Sequence, residues 1–283
     1  MLISVKKKLL SLAFSLVDAF GKTKLGSMLY QRIAASTMAN QAAVEHDGLR
    51  LSFVVPNYVN WWRVNSFSSK EPETLEWIDG FEDDAVLWDI GANVGLYSCY
   101  AAKRKGGQVI AFEPSVFNLE LLARNVWNNQ LTGLVTIVPL PLSDGLTTST
   151  LNMTTTDWGG AMSTFNESYT HDGTSLKSIF EFRTLGLSMD DAVQRLGIPT
   201  PHYIKMDVDG IEHLILQGGE QVLRDVRGVL VEVNEEFEKQ AVLTHQYLQN
   251  AGLVLKEKRH ADIFDETIFK NCYNQIWHRR PAR

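Results

Sequence analysis

Residues 86–98 read Val-Leu-Trp-Asp-Ile-Gly-Ala-Asn-Val-Gly-Leu-Tyr-Ser, VLWDIGANVGLYS. An apolar run ends in an acid, Asp89, and Gly91, Asn93 and Gly95 then lead into a helical stretch. Glycine at 91 and 95 lets the backbone turn sharply and come close to a ligand, which a Cβ would obstruct. Asn93 takes the place of a middle glycine, and asparagine is among the few other residues that tolerate a left-handed backbone. Such a strand-to-helix turn alone would equally seat the pyrophosphate of a nicotinamide dinucleotide. Asp89 shifts the balance, because a carboxylate there repels a pyrophosphate and attracts a ligand carrying an ammonium and a sulfonium, as S-adenosyl-L-methionine does. Twenty-four residues on, Glu113 ends the next apolar run in VIAFEPS, placed to accept from both ribose hydroxyls, with Pro114 beside it.

Working outward, short β-branched runs alternate with helical stretches from Ala85 on, which predicts an α/β fold around a parallel sheet. Strands are expected at 85–90, 108–113, 135–142, 202–208, 228–234, 253–259 and 274–279. Helices are expected at Leu96–Lys103, Asn118–Asn129, Ser188–Leu196, Ile211–Leu223 and Glu238–Asn250. The last two strands leave no room for a helix between them and should pair antiparallel, so the sheet is mostly parallel with an antiparallel C-terminal hairpin and helices on both faces. The third strand leads to Ser143 and Asp144, which face the same crevice; Asp144 is a candidate for the adenine amino group or an ordinary Asp-Gly turn. Residues 146–182 are too long for a plain connection and are read as a β extension plus a lid.

The fourth strand gives YIKMDVDGIEH, in which Lys205, Asp207 and Asp209 alternate, with Glu212 and His213 one helical turn on. Methyl transfer to a hydroxyl requires a group that takes its proton, and Asp207 is the first choice for base or substrate anchor. Lys205 would hold Asp207 ionised or stabilise a developing alkoxide. The site calls for no metal, although a divalent ion among Asp207, Asp209 and Glu232 stays open.

Taken together, WDIGANVGLYS, AFEPSVFNLELLARN, LSD, IKMDVDGIEHLILQGG and VLVEVN resemble the FkbM family of S-adenosylmethionine-dependent methyltransferases over about Val86 to Asn234. The resemblance implies a Rossmann-like class I methyltransferase fold and O-methylation of sugars in surface polysaccharides or of secondary-metabolite hydroxyls. By motif it assigns Asp89, Gly91, Asn93, Gly95 and Glu113 to the cofactor and Asp207, Asp209 and Glu212 to the acidic block. The leading reading is an O-methyltransferase of a saccharide or saccharide-bearing intermediate, with a nicotinamide oxidoreductase on the same sheet as the alternative from another class.

Residues 1–70 are read as an N-terminal helical extension with one strand, and 71–283 as the methyltransferase domain. In the extension, Leu9, Ala13, Leu16, Val17 and Phe20 repeat at helical spacing, and the first forty residues hold six basic groups and one acidic. That suits a core or homodimer contact, or a seat on an anionic membrane face. Tyr58, Trp61, Trp62 and Phe67, with Arg63, form either a wall for a sugar ring or core aromatics. Trp158 and His171 in the long loop are further substrate candidates. Lys and Arg total 27 against 33 Asp and Glu, a net charge of −6, which gives no overall footprint for nucleic acid. Two distant cysteines, Cys99 and Cys272, fit a reducing compartment, hence the cytoplasm.

Overall fold

The computed structural model describes residues 2–280; Met1, residues 281–283 and the side chains of residues 2–5, Lys8, Leu9 and Asp262 lie outside the description. The predicted stripe is therefore followed from Ala13 onward. Helices Leu2–Gly21 and Lys24–Ala39 fold back on each other as a hairpin. Thr23 caps the second helix by accepting from the Gly26 amide at 3.0 Å. At Gly21 a Cβ would stand 2.4 Å from the Tyr30 ring, so the two helices meet closely at the turn. Apolar side chains of this unit face solvent, with Leu16 64% and Leu25 70% exposed.

Strands β1 (Gln41–His46) and β2 (Leu49–Val54) form an antiparallel hairpin through Asp47 and Gly48, both left-handed as a two-residue turn requires. The sequence reading had only the second of these strands, because β1 buries no side chain fully. β2 lies against the helix Val116–Asn128 and its cap: the amides of Ser52 and Val54 donate to Asn129 Oδ1 and Asn125 Oδ1 at 2.9 and 2.8 Å. From Leu51 on, the extension shares one core with the main domain, since Phe53, Val64 and Phe67 pack in the same cluster as Leu75 and Leu87.

The remaining strands are β3 (Leu87–Ile90), β4 (Val109–Phe112), β5 (Val135–Val138), β6 (Thr147–Met153), β7 (Ser163–Phe165), β8 (Phe180–Gly186), β9 (Tyr203–Met206), β10 (Gly228–Asn234), β11 (Leu253–Arg259) and β12 (Cys272–Arg279). Seven form one sheet in the order β11-β12-β10-β9-β3-β4-β5. β3, β4, β5, β9 and β10 are parallel, and β12 runs antiparallel to both β10 and β11. This is the mostly parallel α/β sheet with an antiparallel C-terminal hairpin read from the sequence. β6, β7 and β8 make a separate antiparallel sheet within the long insertion.

Period-two alternation divides the main strands between two cores. Leu87, Ala111, Tyr203 and Leu230 pack toward the helices Pro72–Asp79 and Leu96–Lys105, whereas Trp88, Ile90, Ile204 and Val231 pack on the other face toward Met189–Leu196 and Glu212–Gln217. Asp89 and Lys205 are register partners and share the first face. The helix expected over Ile211–Leu223 is broken into Glu212–Gln217 and Glu220–Asp225. Gly218 lies where a Cβ would come within 2.5 Å of Ser143 O. β5 stops before Pro139, which has no amide hydrogen to continue the ladder. Among the described residues no helix is long and apolar enough to cross a membrane.

Candidate active site

A cavity of about 270 Å³ opens at the carboxyl ends of β3, β4 and β9. The glycine turn after β3 forms its floor. Gly91 has φ +84°, and a Cβ there would stand 2.0 Å from Asp207 O, so no side chain fits between the turn and the loop after β9. Asn93 takes φ +51° and Gly95 φ +81°. Glu113 pins this turn: its Oε2 accepts from the Asn93 amide at 2.7 Å and its Oε1 from the Ser115 amide at 2.8 Å. Burial raises Glu113 to about 7 against the pull of these donors. Glu113 and Pro114 line the cavity; Oε1 also accepts from Asn118 Nδ2 at 3.5 Å, while Oε2 keeps a second lone pair for a ligand hydroxyl.

Asp89 stands behind the turn, outside the cavity lining. It is 1% exposed, Oδ2 accepts from Ser98 Oγ at 2.5 Å, and Oδ1 is buried without a partner. Burial raises its proton affinity and Lys205 opposes that. Gly95 also lies behind, where a Cβ would meet Leu122. Ser143 and Asp144 turn away from the cavity and are hydrogen-bonded to each other at 3.2 Å; Leu140, Pro141 and Leu142 line the wall in their place. With Phe112, Leu151 and Phe165 these make an apolar slot beside Glu113. The slot, the Glu113 carboxylate and the cradle at Gly91 fit a purine nucleoside.

Across the cavity stands the acidic block. Lys205 is 2% exposed, with Nζ 3.3 Å from Asp207 Oδ2 and 5.1 Å from the Tyr97 ring centre. Burial would strip its proton, but Asp207, Asp89 and Glu71 outweigh burial and keep it charged. The Asp207 side chain, 31% exposed, faces the cavity. Burial pushes its pKa up, but Lys205, Lys70 and Arg63 more than reverse this and hold it ionised. Glu232 also faces the cavity, and burial together with Asp207 and Glu71 raises it well above the usual carboxylate range.

Asp209, with φ +61°, accepts from the Met162 amide at 2.6 Å and so ties the insertion to the site. Burial and Asp207 lift it to about 6. Glu212 is wholly buried beneath the loop, accepting from the amides of Val208 and Gly210 and from Gln240 Nε2. His213 is buried away from the cavity, edge-on to Phe237, and burial lowers it to about 4. Among the described residues, Asp207, Asp209 and Glu232 do not bring three ligand oxygens together; the group that converges is His46, Asp47 and Asp79, where Asp79 Oδ1 already receives Tyr100 and Arg104.

The aromatic segment divides. Trp62 and Arg63 line the cavity with Val59, whereas Tyr58 and Trp61 stack on each other in solvent and Phe67 is core. Lys70, at the end of the short helix Phe67–Lys70, and Phe264 and Phe269, between β11 and β12, complete the cavity wall; none of them belongs to a sequence motif. His171 is packed against Phe269. The insertion loop is clamped from both sides: Trp158 O accepts from Asn57 and Asn60, Gly159 O from Arg63, and Gly160 O from Asn93 and Asn118.

A glycine turn after the first strand of a Rossmann-like sheet, an apolar slot and a carboxylate facing it across one cavity define the class: a Rossmann-like methyltransferase fold with its cavity at the carboxyl ends of the strands. The model of the FkbM methyltransferase domain matches residues 89–258, and the chain belongs to that family. It is a methyltransferase and its methyl donor is S-adenosyl-L-methionine, which decides between the two ligands the turn left open. The hexuronic acid methyltransferase AglP of Haloferax volcanii is 27% identical over 190 residues, spanning 67% of this chain and 73% of that protein. In fold, the chain resembles a putative SAM-dependent methyltransferase from Streptococcus mutans at TM-score 0.50 and 10% identity, covering 84% of this chain and 55% of that one. Aeropyrum pernix fibrillarin with natively bound S-adenosyl-L-methionine superposes at TM-score 0.46 and 11% identity, covering 85% and 83%.

Proposed function

We propose that the protein methylates a hydroxyl of a saccharide or saccharide-bearing intermediate. The observation that carries this reading is Asp207, ionised and open to a cavity whose acceptor side is walled by Trp62, Phe264 and Phe269. Flat aromatic faces suit the C–H faces of a sugar ring, and the hexuronic acid methyltransferase among the relatives supports a sugar acceptor. In this reading Glu113 takes the ribose hydroxyls and the Gly91 turn holds the donor close. Bound S-adenosyl-L-methionine supplies an electrophilic methyl carbon. Asp207, kept ionised by Lys205, accepts the hydrogen bond of the acceptor hydroxyl and orients its oxygen. On methyl transfer the proton of the acceptor hydroxyl would pass to a carboxylate of the protein. Asp209, at about 6, is better matched to that task near neutral pH than Asp207. The test is transfer of labelled methyl to a panel of glycosides, with the product oxygen located by mass spectrometry. Label on a sugar hydroxyl supports the reading, and label confined to non-sugar hydroxyls refutes it.

We infer further that the helical hairpin Leu2–Ala39 rests on an anionic lipid surface. Solvent-facing Leu12, Phe14, Leu16 and Val17 are flanked by Lys6 and Lys7 on one side and Lys22 and Lys24 on the other, the arrangement of an interfacial helix whose lysines reach the headgroups. The hairpin is basic on a protein of net charge −6, and pairing with a second copy would set two basic hairpins together. The protein should sediment with phosphatidylglycerol vesicles and much less with phosphatidylcholine, and Leu12→Ser with Leu16→Ser should abolish this. A stable dimer that ignores both vesicles would contradict it.

A further inference from the structure

We propose that the Arg63 guanidinium is the seat of a carboxylate that a ligand carries into the cavity. Arg63 projects from the helix Tyr58–Asn65 into the cavity wall. One Nη donates to Gly159 O at 2.9 Å, while Nε is buried with no hydrogen-bond partner. A buried guanidinium donor left without an acceptor is costly, so such a group in a ligand cavity points to an absent partner.

The charges around it show which kind. Lys70 Nζ lies 2.5 Å from Glu71 Oε1, and Lys205 Nζ lies 3.3 Å from Asp207 Oδ2. Each of those cations is matched by a carboxylate of the protein. Arg63 makes no ion pair among the described residues, so it is the cation of this cavity whose charge a ligand must balance. Its planar fork matches a carboxylate in geometry as well as in charge, with Nε and an adjacent Nη offering two parallel donors. Arg63 also lies close enough to Asp207 to draw that group's pKa down, which sets the seat beside the acceptor anchor. Residue 63 falls before the matched family segment 89–258.

Two ligands can bring a carboxylate here: the amino-acid end of the donor, or a sugar acid in the acceptor position, the second of which rests on the saccharide reading above. Calorimetry on the full chain separates them, with wild type and Arg63→Gln titrated with S-adenosylhomocysteine, with 5′-methylthioadenosine, which lacks the amino-acid end, and with p-nitrophenyl glucuronide and glucoside. If the donor fills the seat, Arg63→Gln weakens S-adenosylhomocysteine about 10- to 100-fold and leaves methylthioadenosine unchanged. If the acceptor fills it, wild type prefers the glucuronide over the glucoside, and Arg63→Gln loses that preference with nucleoside affinity intact. Arg63→Lys, which keeps the charge, should restore part of the lost affinity in either case. Equal weakening of all ligands overturns the proposal, as does unchanged S-adenosylhomocysteine affinity in a protein that shows no glucuronide preference or keeps it in Arg63→Gln. A donor-arm response without saccharide binding supports the seat and assigns it to the donor, leaving the saccharide reading to the labelling experiment.

Discussion

The two ends of the cavity are built differently. The end proposed for the donor is a matter of backbone: Gly91 where no Cβ fits, Asn93 in the left-handed region, and a buried Glu113 holding two amides. The end proposed for the acceptor is a matter of side chains drawn from separate places: the helices Tyr58–Asn65 and Phe67–Lys70, β10, the β9 loop and the connection between β11 and β12. A backbone constraint admits few residue types, so the donor end is rigid and specified locally. A wall assembled from distant side chains can change its contacts without disturbing the turn beneath it.

The largest effect that would sharpen this contrast is at Gly91. Gly91→Ala sets a Cβ against Asp207 O and keeps a positive φ, so calorimetry should find no S-adenosylhomocysteine binding, with about 2–4 kcal/mol lost in denaturant melts. Normal affinity in that variant would break the claim of a backbone-built donor end. Next, Asp207→Asn should lower kcat about 100- to 1000-fold while S-adenosylhomocysteine binds as before, because the anchor belongs to the acceptor end. Loss of nucleoside binding there would merge the two ends.

A smaller effect concerns pH. Glu113 and Glu212 are both raised from 4.5 to about 7, chiefly by burial. Each is bound to a proton more firmly in the folded chain than in the unfolded one. Their contribution is complete below about pH 4.5 and is lost as pH rises through about 7, on the order of 1–3 kcal/mol for each group. Glu212→Gln should make the decline between pH 5 and 8 shallower in denaturant melts. An unchanged slope would mean that the loop after β9 does not depend on that carboxyl.

What the sequence disclosed follows the same division. β10 and β11 occupy the expected residues, as does the helix Glu238–Asn250, because period and punctuation set them locally. The turn itself was legible because a left-handed backbone admits few residue types, and Glu113 lies where the apolar run predicts, at the end of β4. Asp89 was legible as important but not in its placement: it shares the inward face with Lys205, a fact of sheet register that one strand alone cannot reveal. The aromatics at 58–67 looked alike in sequence, and only helix phase and packing separated Trp62 from Tyr58, Trp61 and Phe67. Phe264 and Phe269 come from a connection between two strands, and no local pattern shows that it folds over the cavity.

The separateness of the two ends is tested most directly at Trp62, which touches the cavity from outside the matched family segment. The measurement is the S-adenosylhomocysteine Kd of Trp62→Ala set beside its KM for the acceptor that the labelling experiment identifies. The expected result is an unchanged Kd with KM raised about tenfold, the order of one lost ring-stacking contact. A Kd that moves in step with KM would contradict the account.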